Sequence, residues 1–396
     1  MQSEKSPMEK FDETGDSLEI WWDSSPLVFE SWKKMRIKSM PLEKREAEEE
    51  LLDRYYMSDR PLEQLFRGVT TNPPLSGAVI KDDPSFWREW VIEQMTKDPK
   101  ASVRNLWWKL YKEIVRRGAE KYLGVFRQSG FKYGYLSGQV DPRDYENEDE
   151  MKSQALELAE MSSNIMIKIP GTEQGVRVIR YLTSKGIATN CTLAFVLPQF
   201  TAVTKAVKEG IDTAKSQGVD LSRWRSVITS MAGRYEELGD FDKESEKLGI
   251  EITEAEKRWA SIAIFKKAVA YLSQGDYASK MLICSMRPGP VVNGKKELWH
   301  FEKLAGVNAV FTCPPKIINI VNDEYIQREF DPDGWREPVP EEILDKLNKF
   351  AYFREAYDEH GIEPPQFNTH PATIATARAF SIATDEIEYF VKKSVV

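Results

Sequence analysis

The sequence predicts a single α/β domain over residues 1–396, an eight-stranded (β/α)8 barrel of the TIM type, and three observations carry that reading. Short apolar, β-branched runs recur eight times, most of them followed by a stretch of helical periodicity, the pattern of parallel βα units. Eight such runs suit a closed barrel better than an open doubly wound sheet, which has about five or six strands. Several runs end in polar side chains, namely Asp23, Asn72, Lys168, Asn190 and Arg287. In a barrel the C-terminal strand ends form the active face, so these groups would converge on one mouth.

In chain order the runs are LEIWWD near Ile20, FRGVTTN near Val69, YGYLSGQVD near Leu136, IMIKIPG near Ile167, IATNCTLAF near Asn190, RSVITSM near Ile228, KMLICSM near Ile283 and NAVFTCPP near Phe311. After IMIKIPG, the segment TEQGVRVIRYLTSKG puts Val176, Ile179 and Leu182 on one helical face, with Thr172 as N-cap and Gly186 as stop. Two connections exceed ordinary loop lengths. Residues 30–65 read as a charged helical insertion (PLEKREAEEELLDRYY), and residues 84–128 as helical and tryptophan-rich (FWREW, NLWWKLY). These aromatics read as packing residues sealing helices onto the barrel wall, with a lid as the alternative. From about residue 338 the tail is helical, interrupted at EPPQ and HPAT.

Composition narrows the chemistry. An apolar fraction of 41% supports a large core, and a net charge of −8 argues against nucleic acid as a partner. No run of about 18 apolar residues is present and the N-terminus lacks a basic-then-apolar signal, so a cytosolic protein without a membrane partner is expected. Cys191, Cys284 and Cys313 form no paired short spacing, which indicates neither a disulfide framework nor a zinc ribbon. The histidines His300, His360 and His370 are too far apart for a helical metal pair, so no histidine-rich metal site is expected, and the lysine chemistry read below requires no metal or organic cofactor. Assembly into a homo-oligomer is left open.

Lys168 is the residue with the sharpest chemistry. In IMIKIPG it shares a strand face with Met166 and Pro170, opposite Ile167 and Ile169. A lysine facing a barrel interior is costly unless neutral, paired or used. Desolvation lowers an amine's pKa and makes it a nucleophile toward a ketone. The alternative is a lysine paired with a carboxylate at a strand end. Asp23, in WWDSS, fits a proton shuttle for a Schiff-base mechanism, while Asn72, in GVTTNPP, and Asn190, with Thr192 in GIATNCTL, fit donors to sugar hydroxyls. Singly, each of these also reads as a turn or cap residue.

Taken together these segments resemble the transaldolase family. Its TTNPS pattern is here Thr70, Thr71, Asn72, Pro73 and Pro74; its IKIPGT strand is Ile167 to Thr172, followed by EQGV; its GIxxNxTL strand is Gly186 to Leu193. Motifs like SPFVGR and ASFR correspond to Thr229–Arg234 and Cys284–Arg287, and LTISP to VFTCPP. The resemblance touches all eight strands, from Asp23 to Pro315, but neither the insertions nor the tail after about residue 320. It implies a class I aldolase mechanism with Lys168 as Schiff-base lysine, Asp23 as proton carrier, and Thr192 with Gln139 positioning water. Asn72, Asn190 and Thr229 would then contact the sugar, while Arg234, Ser285 and Arg287 clamp its phosphate.

One departure stands out. Where transaldolases carry a glutamate in a VSxEVDPR-like motif, this chain has Gln139 in Ser137–Arg143. An amide holds water but takes no proton. The related fructose-6-phosphate aldolases, which release free dihydroxyacetone, also carry glutamine there, but pair it with a tyrosine where this chain has Met231. The expected function is therefore dihydroxyacetone transfer between phosphosugars, with release of free ketone as the alternative. A non-catalytic sugar-phosphate sensor is the third reading, disfavoured because binding alone needs no buried lysine.

Overall fold

The computed structural model describes residues 4–395. Eight parallel strands close into a barrel: β1 (Glu19–Trp22), β2 (Phe66–Thr70), β3 (Leu136–Gln139), β4 (Ile165–Pro170), β5 (Thr189–Ala194), β6 (Ser226–Met231), β7 (Lys280–Cys284) and, after a two-stranded ribbon of β8 (Val291–Val292) and β9 (Lys295–Lys296), β10 (Val310–Cys313). Each predicted run contains one barrel strand; the ribbon has no counterpart in the sequence reading. Strand β1 lies between β2 and β10, which closes the cylinder.

Barrel stagger places the polar groups at different depths. Gln139, Lys168 and Asn190 stand opposite one another in register across β3, β4 and β5. Lys168 is thus two residues inside the end of its strand, and Asn190 is the second residue of β5. They line the interior rather than the rim, because parallel barrel strands are sheared relative to one another. On β1, alternation puts Glu19, Trp21 and Asp23 on one face at successive depths. Gly68 makes room for the Trp21 indole, against whose ring a Cβ would stand 2.6 Å away.

At the opposite end of the barrel Glu19 is almost fully buried and accepts from Arg225 at 2.6 Å, Lys280 at 2.8 Å and the Trp21 indole at 3.0 Å. Although burial works to raise it, the two cations hold this carboxyl down at about 2. The polar plug fixes the floor on which Trp21 rests.

The helix Glu173–Ser184 begins at Thr172, whose hydroxyl accepts from the Gly175 amide at 3.0 Å, and ends ahead of Gly186 at φ +72°. Its buried stripe is Gly175, Val178, Ile179 and Leu182, while Val176 is only half-buried, so the inward face is turned from the one predicted. Between β1 and β2 run the helices Phe29–Ser39 and Arg45–Tyr55; before β3 come Pro84–Lys97, Val103–Glu120 and Leu123–Gln128. Trp87 and Trp107 are buried, and Tyr111 stacks on both Trp107 and Trp108. Tyr111 Oη also accepts from the Gln139 backbone amide at 2.8 Å, tying the tryptophan-rich helix to the end of β3.

The tail forms Glu341–Leu347, Ala351–Tyr357, Pro364–Phe367 and the 25-residue helix Pro371–Val395. That last helix crosses the mouth of the barrel. Just before it, His370 stacks on Phe195 beyond β5; further along, Asp385 and Glu388 pair with Arg143 beyond β3, and Ile387 lies against Gly77 beyond β2.

Glu19→Gln is expected to lower the unfolding free energy by about 3–5 kcal/mol, because it strands Arg225 and Lys280 without a counter-charge. The depressed Glu19 contributes stability above its unfolded pKa and loses it as pH falls toward about 2. Urea titrations should therefore show the native chain losing more stability than Glu19→Gln between about pH 4.5 and pH 2; parallel loss in both would count against the plug.

Candidate active site

The barrel mouth is built from the strand ends inward. Lys168 is 4% exposed, and its Nζ donates to the Thr71 carbonyl at 3.0 Å. Burial lowers its pKa; Asp23 and Cys284 pull the other way and Arg234 adds to the lowering. Asp23, half-buried beyond β1, is raised by burial and held back by Lys168, by the Thr70 hydroxyl at 2.6 Å and by Arg234. Thr70 is also hydrogen-bonded to Thr312 on β10, so three neighbouring strands share one polar chain. No direct ion pair joins Asp23 to Lys168 among the described residues. The arrangement places an amine pushed toward neutrality within electrostatic reach of a carboxyl pushed toward protonation, a pairing suited to nucleophilic attack with proton transfer.

Behind Lys168 the interior is hydrogen-bonded across strands. Asn190 Nδ2 donates to Ser137 Oγ at 3.0 Å and its Oδ1 accepts from Thr229 at 2.7 Å, so β3, β5 and β6 are laced together by the residue expected to hold the sugar. One amide hydrogen of Asn190 remains beyond those bonds. Thr192 is fully buried, with its hydroxyl 3.9 Å from the Met231 sulfur. Gln139 is 2% exposed, and its Oε1 has no hydrogen-bond partner among the described residues. Asn72 uses its Oδ1 to accept from the Leu75 amide at 3.0 Å and so caps the helix Pro73–Asp82, as the turn-and-cap alternative anticipated.

The two arginines differ sharply. Arg287 forms a fork with Glu237 at 2.6 and 2.7 Å and donates to the Ser285 carbonyl at 2.7 Å. Arg234 has no ion-pair partner among the described residues and meets the Phe380 ring instead, 5.2 Å from its centroid. Gly233 lets the two approach, since a Cβ there would stand 2.1 Å from the Ser285 carbonyl oxygen and 3.0 Å from the Arg287 side chain. Ser285 holds φ +57°, a left-handed conformation that turns the chain sharply beyond β7.

A buried network holds the Arg287 backbone. Its amide donates to His300 Nδ1 at 3.0 Å and its carbonyl accepts from Arg258 Nη1 at 3.0 Å. Glu236 gathers Arg258 at 2.9 Å, Ser261 at 2.6 Å and His300 Nε2 at 3.0 Å. With Nδ1 accepting, the His300 proton belongs on Nε2, and burial keeps the ring neutral by lowering its pKa. Sequence reasoning missed His300, Arg258, Glu236 and Glu237, whose spacing carries no periodic signal. It also passed over Thr70, although that residue stands in the quoted GVTTN segment, and Cys284, whose thiol is pushed up to about 11 by burial and by Asp23.

Comparison with known proteins matches this architecture. The family described as Transaldolase/Fructose-6-phosphate aldolase matches residues 52–362. A transaldolase of Kocuria rhizophila is 31% identical over 272 residues, covering 65% of this chain and 72% of that protein. One from Mycolicibacterium paratuberculosis is 26% identical over 298 residues, covering 71% and 77%. Transaldolase 2 of Streptomyces coelicolor is 30% identical over 201 residues, covering 50% and 52%. The family match takes in Lys168, Arg234 and Arg287 and leaves Asp23 and the helix Pro371–Val395 outside its bounds. An eight-stranded barrel with a desolvated lysine at its heart, matched over most of its length, belongs to the transaldolase/fructose-6-phosphate aldolase family.

Proposed function

We propose that the chain is a transaldolase that moves a dihydroxyacetone unit between phosphosugars through a Schiff base on Lys168. The observation that carries this reading is the buried Lys168 amine beside Asp23, in a chain whose relatives are transaldolases. Lys168 Nζ attacks the C2 carbonyl of a ketose phosphate, and Asp23 supplies the proton with which the carbinolamine hydroxyl leaves as water, forming the iminium. Asp23 then takes the C4 hydroxyl proton as the C3–C4 bond breaks, and the aldose phosphate departs. The three-carbon enamine stays on Lys168 until its carbon adds to an acceptor aldehyde and water hydrolyses the new imine. No cofactor enters this scheme, because the protonated imine is the electron sink.

Thr192 and Gln139 hold the water of that last step; the unpartnered Gln139 Oε1 is suited to accept from it. Asn190 offers its remaining amide hydrogen to a donor hydroxyl, with Thr229 fixing its orientation. Asn72 contributes its amide nitrogen, its oxygen being committed to the helix cap. Arg234 is the principal phosphate receptor, since its donors carry no carboxylate, whereas Arg287 must exchange part of its Glu237 fork to join it, with Ser285 alongside. Arg143, although charged, is occupied with Asp141 and the tail helix. Among the described residues no helix is long and apolar enough to cross a membrane. By the same family reading, the enzyme is cytoplasmic and serves carbohydrate metabolism in the pentose phosphate reactions.

Reduction with borohydride in the presence of fructose 6-phosphate should add the donor's mass to the peptide bearing Lys168. Label on another lysine, or turnover surviving Lys168→Ala, would refute the nucleophile. Arg234→Ala should raise KM for fructose 6-phosphate about 10- to 100-fold, the worth of charge-assisted bonds, and Arg287→Ala by less. Equal effects would show that the Glu237 fork opens at no cost.

With erythrose 4-phosphate supplied, sedoheptulose 7-phosphate should exceed free dihydroxyacetone, because Met231 offers no hydroxyl to assist release. Gln139→Glu should shift the ratio further toward transfer; an unchanged ratio removes Gln139 from control of partitioning.

A further inference from the structure

We propose that Phe380, on the helix that crosses the barrel mouth, is a positioning residue for the phosphate site, holding the Arg234 guanidinium in aim without consuming its charge. This rests on the reading of Arg234 as phosphate receptor. A guanidinium that is half-buried must be oriented by something. A carboxylate would orient it and neutralise it, as Glu237 does to Arg287. An aromatic face orients it by cation–π attraction and leaves its planar N–H fork free for a dianion. Phe380 is 1% exposed, and its ring centroid lies 5.2 Å from Arg234 Cζ.

The placement of the helix supports the same conclusion. Residues 373, 376, 380 and 384 are spaced to share one face, and Thr373, Thr376, Phe380 and Thr384 are all buried. Helix-end contacts with Phe195, Arg143 and Gly77 pin that face across the loops after β5, β3 and β2. Phe380 lies between those anchors, so neither end can drift without moving the ring from Arg234. The Thr373 and Thr376 hydroxyls on this face have no hydrogen-bond partner among the described residues. A face made only to pack would carry apolar side chains there. Phe380 also lies beyond residues 52–362, the span that the family match covers.

The readout is the ratio of kcat/KM for fructose 6-phosphate to that for unphosphorylated fructose, in the full-length enzyme. Phe380→Leu keeps an apolar side chain, three carbons smaller, and removes the π face, and should lower the ratio about fivefold through KM for the phosphorylated sugar. Phe380→Tyr keeps the ring and should restore it. An unchanged ratio in Phe380→Leu, with Arg234→Ala collapsing it, overturns the inference alone. A ratio as low in Phe380→Tyr as in Phe380→Leu overturns the ring-to-guanidinium argument. An unchanged ratio in Arg234→Ala overturns the phosphate reading, and this inference falls with it.

Discussion

Closure of the barrel by β1 is the constraint on which the site depends. Residues Glu19 to Trp22 pair with Val310 to Cys313 on one side and with β2 on the other, and the Asp23 amide continues the ladder to the Cys313 carbonyl at 3.0 Å. That strand carries a carboxylate floor, an indole that fills the middle of the barrel, and the acid facing Lys168. Were β1 to slip by one residue, Ile20 and Trp22 would turn inward and Asp23 would leave the mouth. The Glu19 plug, the Gly68 notch and the Thr70–Asp23 bond all resist that slip.

Desolvation does opposite things to the two groups thus brought together. It favours the neutral amine of Lys168 and the neutral acid of Asp23, and their mutual attraction works against both shifts. The absence of a direct ion pair between them, among the described residues, keeps the attraction from winning outright. Catalysis of the proposed kind needs this balance, because a tightly paired lysine would be protonated and inert.

The arginine side of the mouth follows a different logic. Arg287 is held by its backbone through His300 and Arg258 and by its side chain through Glu237, so its position is fixed and its charge largely spent. Arg234 is held by an aromatic face and keeps its charge. The stretch from Arg234 to Glu237 therefore does three things within one helical turn: it keeps a half-buried guanidinium free of carboxylates, anchors a buried network at Glu236 and forks to Arg287 at Glu237. Buried polar groups such as Glu236 are tolerable only when fully bonded, and this one meets Arg258, Ser261 and His300.

By itself the sequence determined the eight strands, their parallel βα order and the family, because these depend on local periodicity and on short motifs such as IKIPGT that survive in linear form. It also singled out Lys168, Asp23 and Asn190, since polar side chains in or at the ends of apolar strands are conspicuous, while the roles of Thr192 and Gln139 emerged only from the family resemblance. Only the tertiary structure decided that Lys168 and Asn190 lie inside the barrel rather than at its rim, which depends on strand shear. It alone separated Arg234 from Arg287, identical in their local context as arginines after a strand, by giving one a carboxylate and the other a phenyl ring. Nothing in the linear order ties Phe380 to Arg234, 146 positions away. Their contact exists because a helix from the far end of the chain lies across loops that barrel closure has already gathered, and such non-local pairing leaves no mark in local sequence.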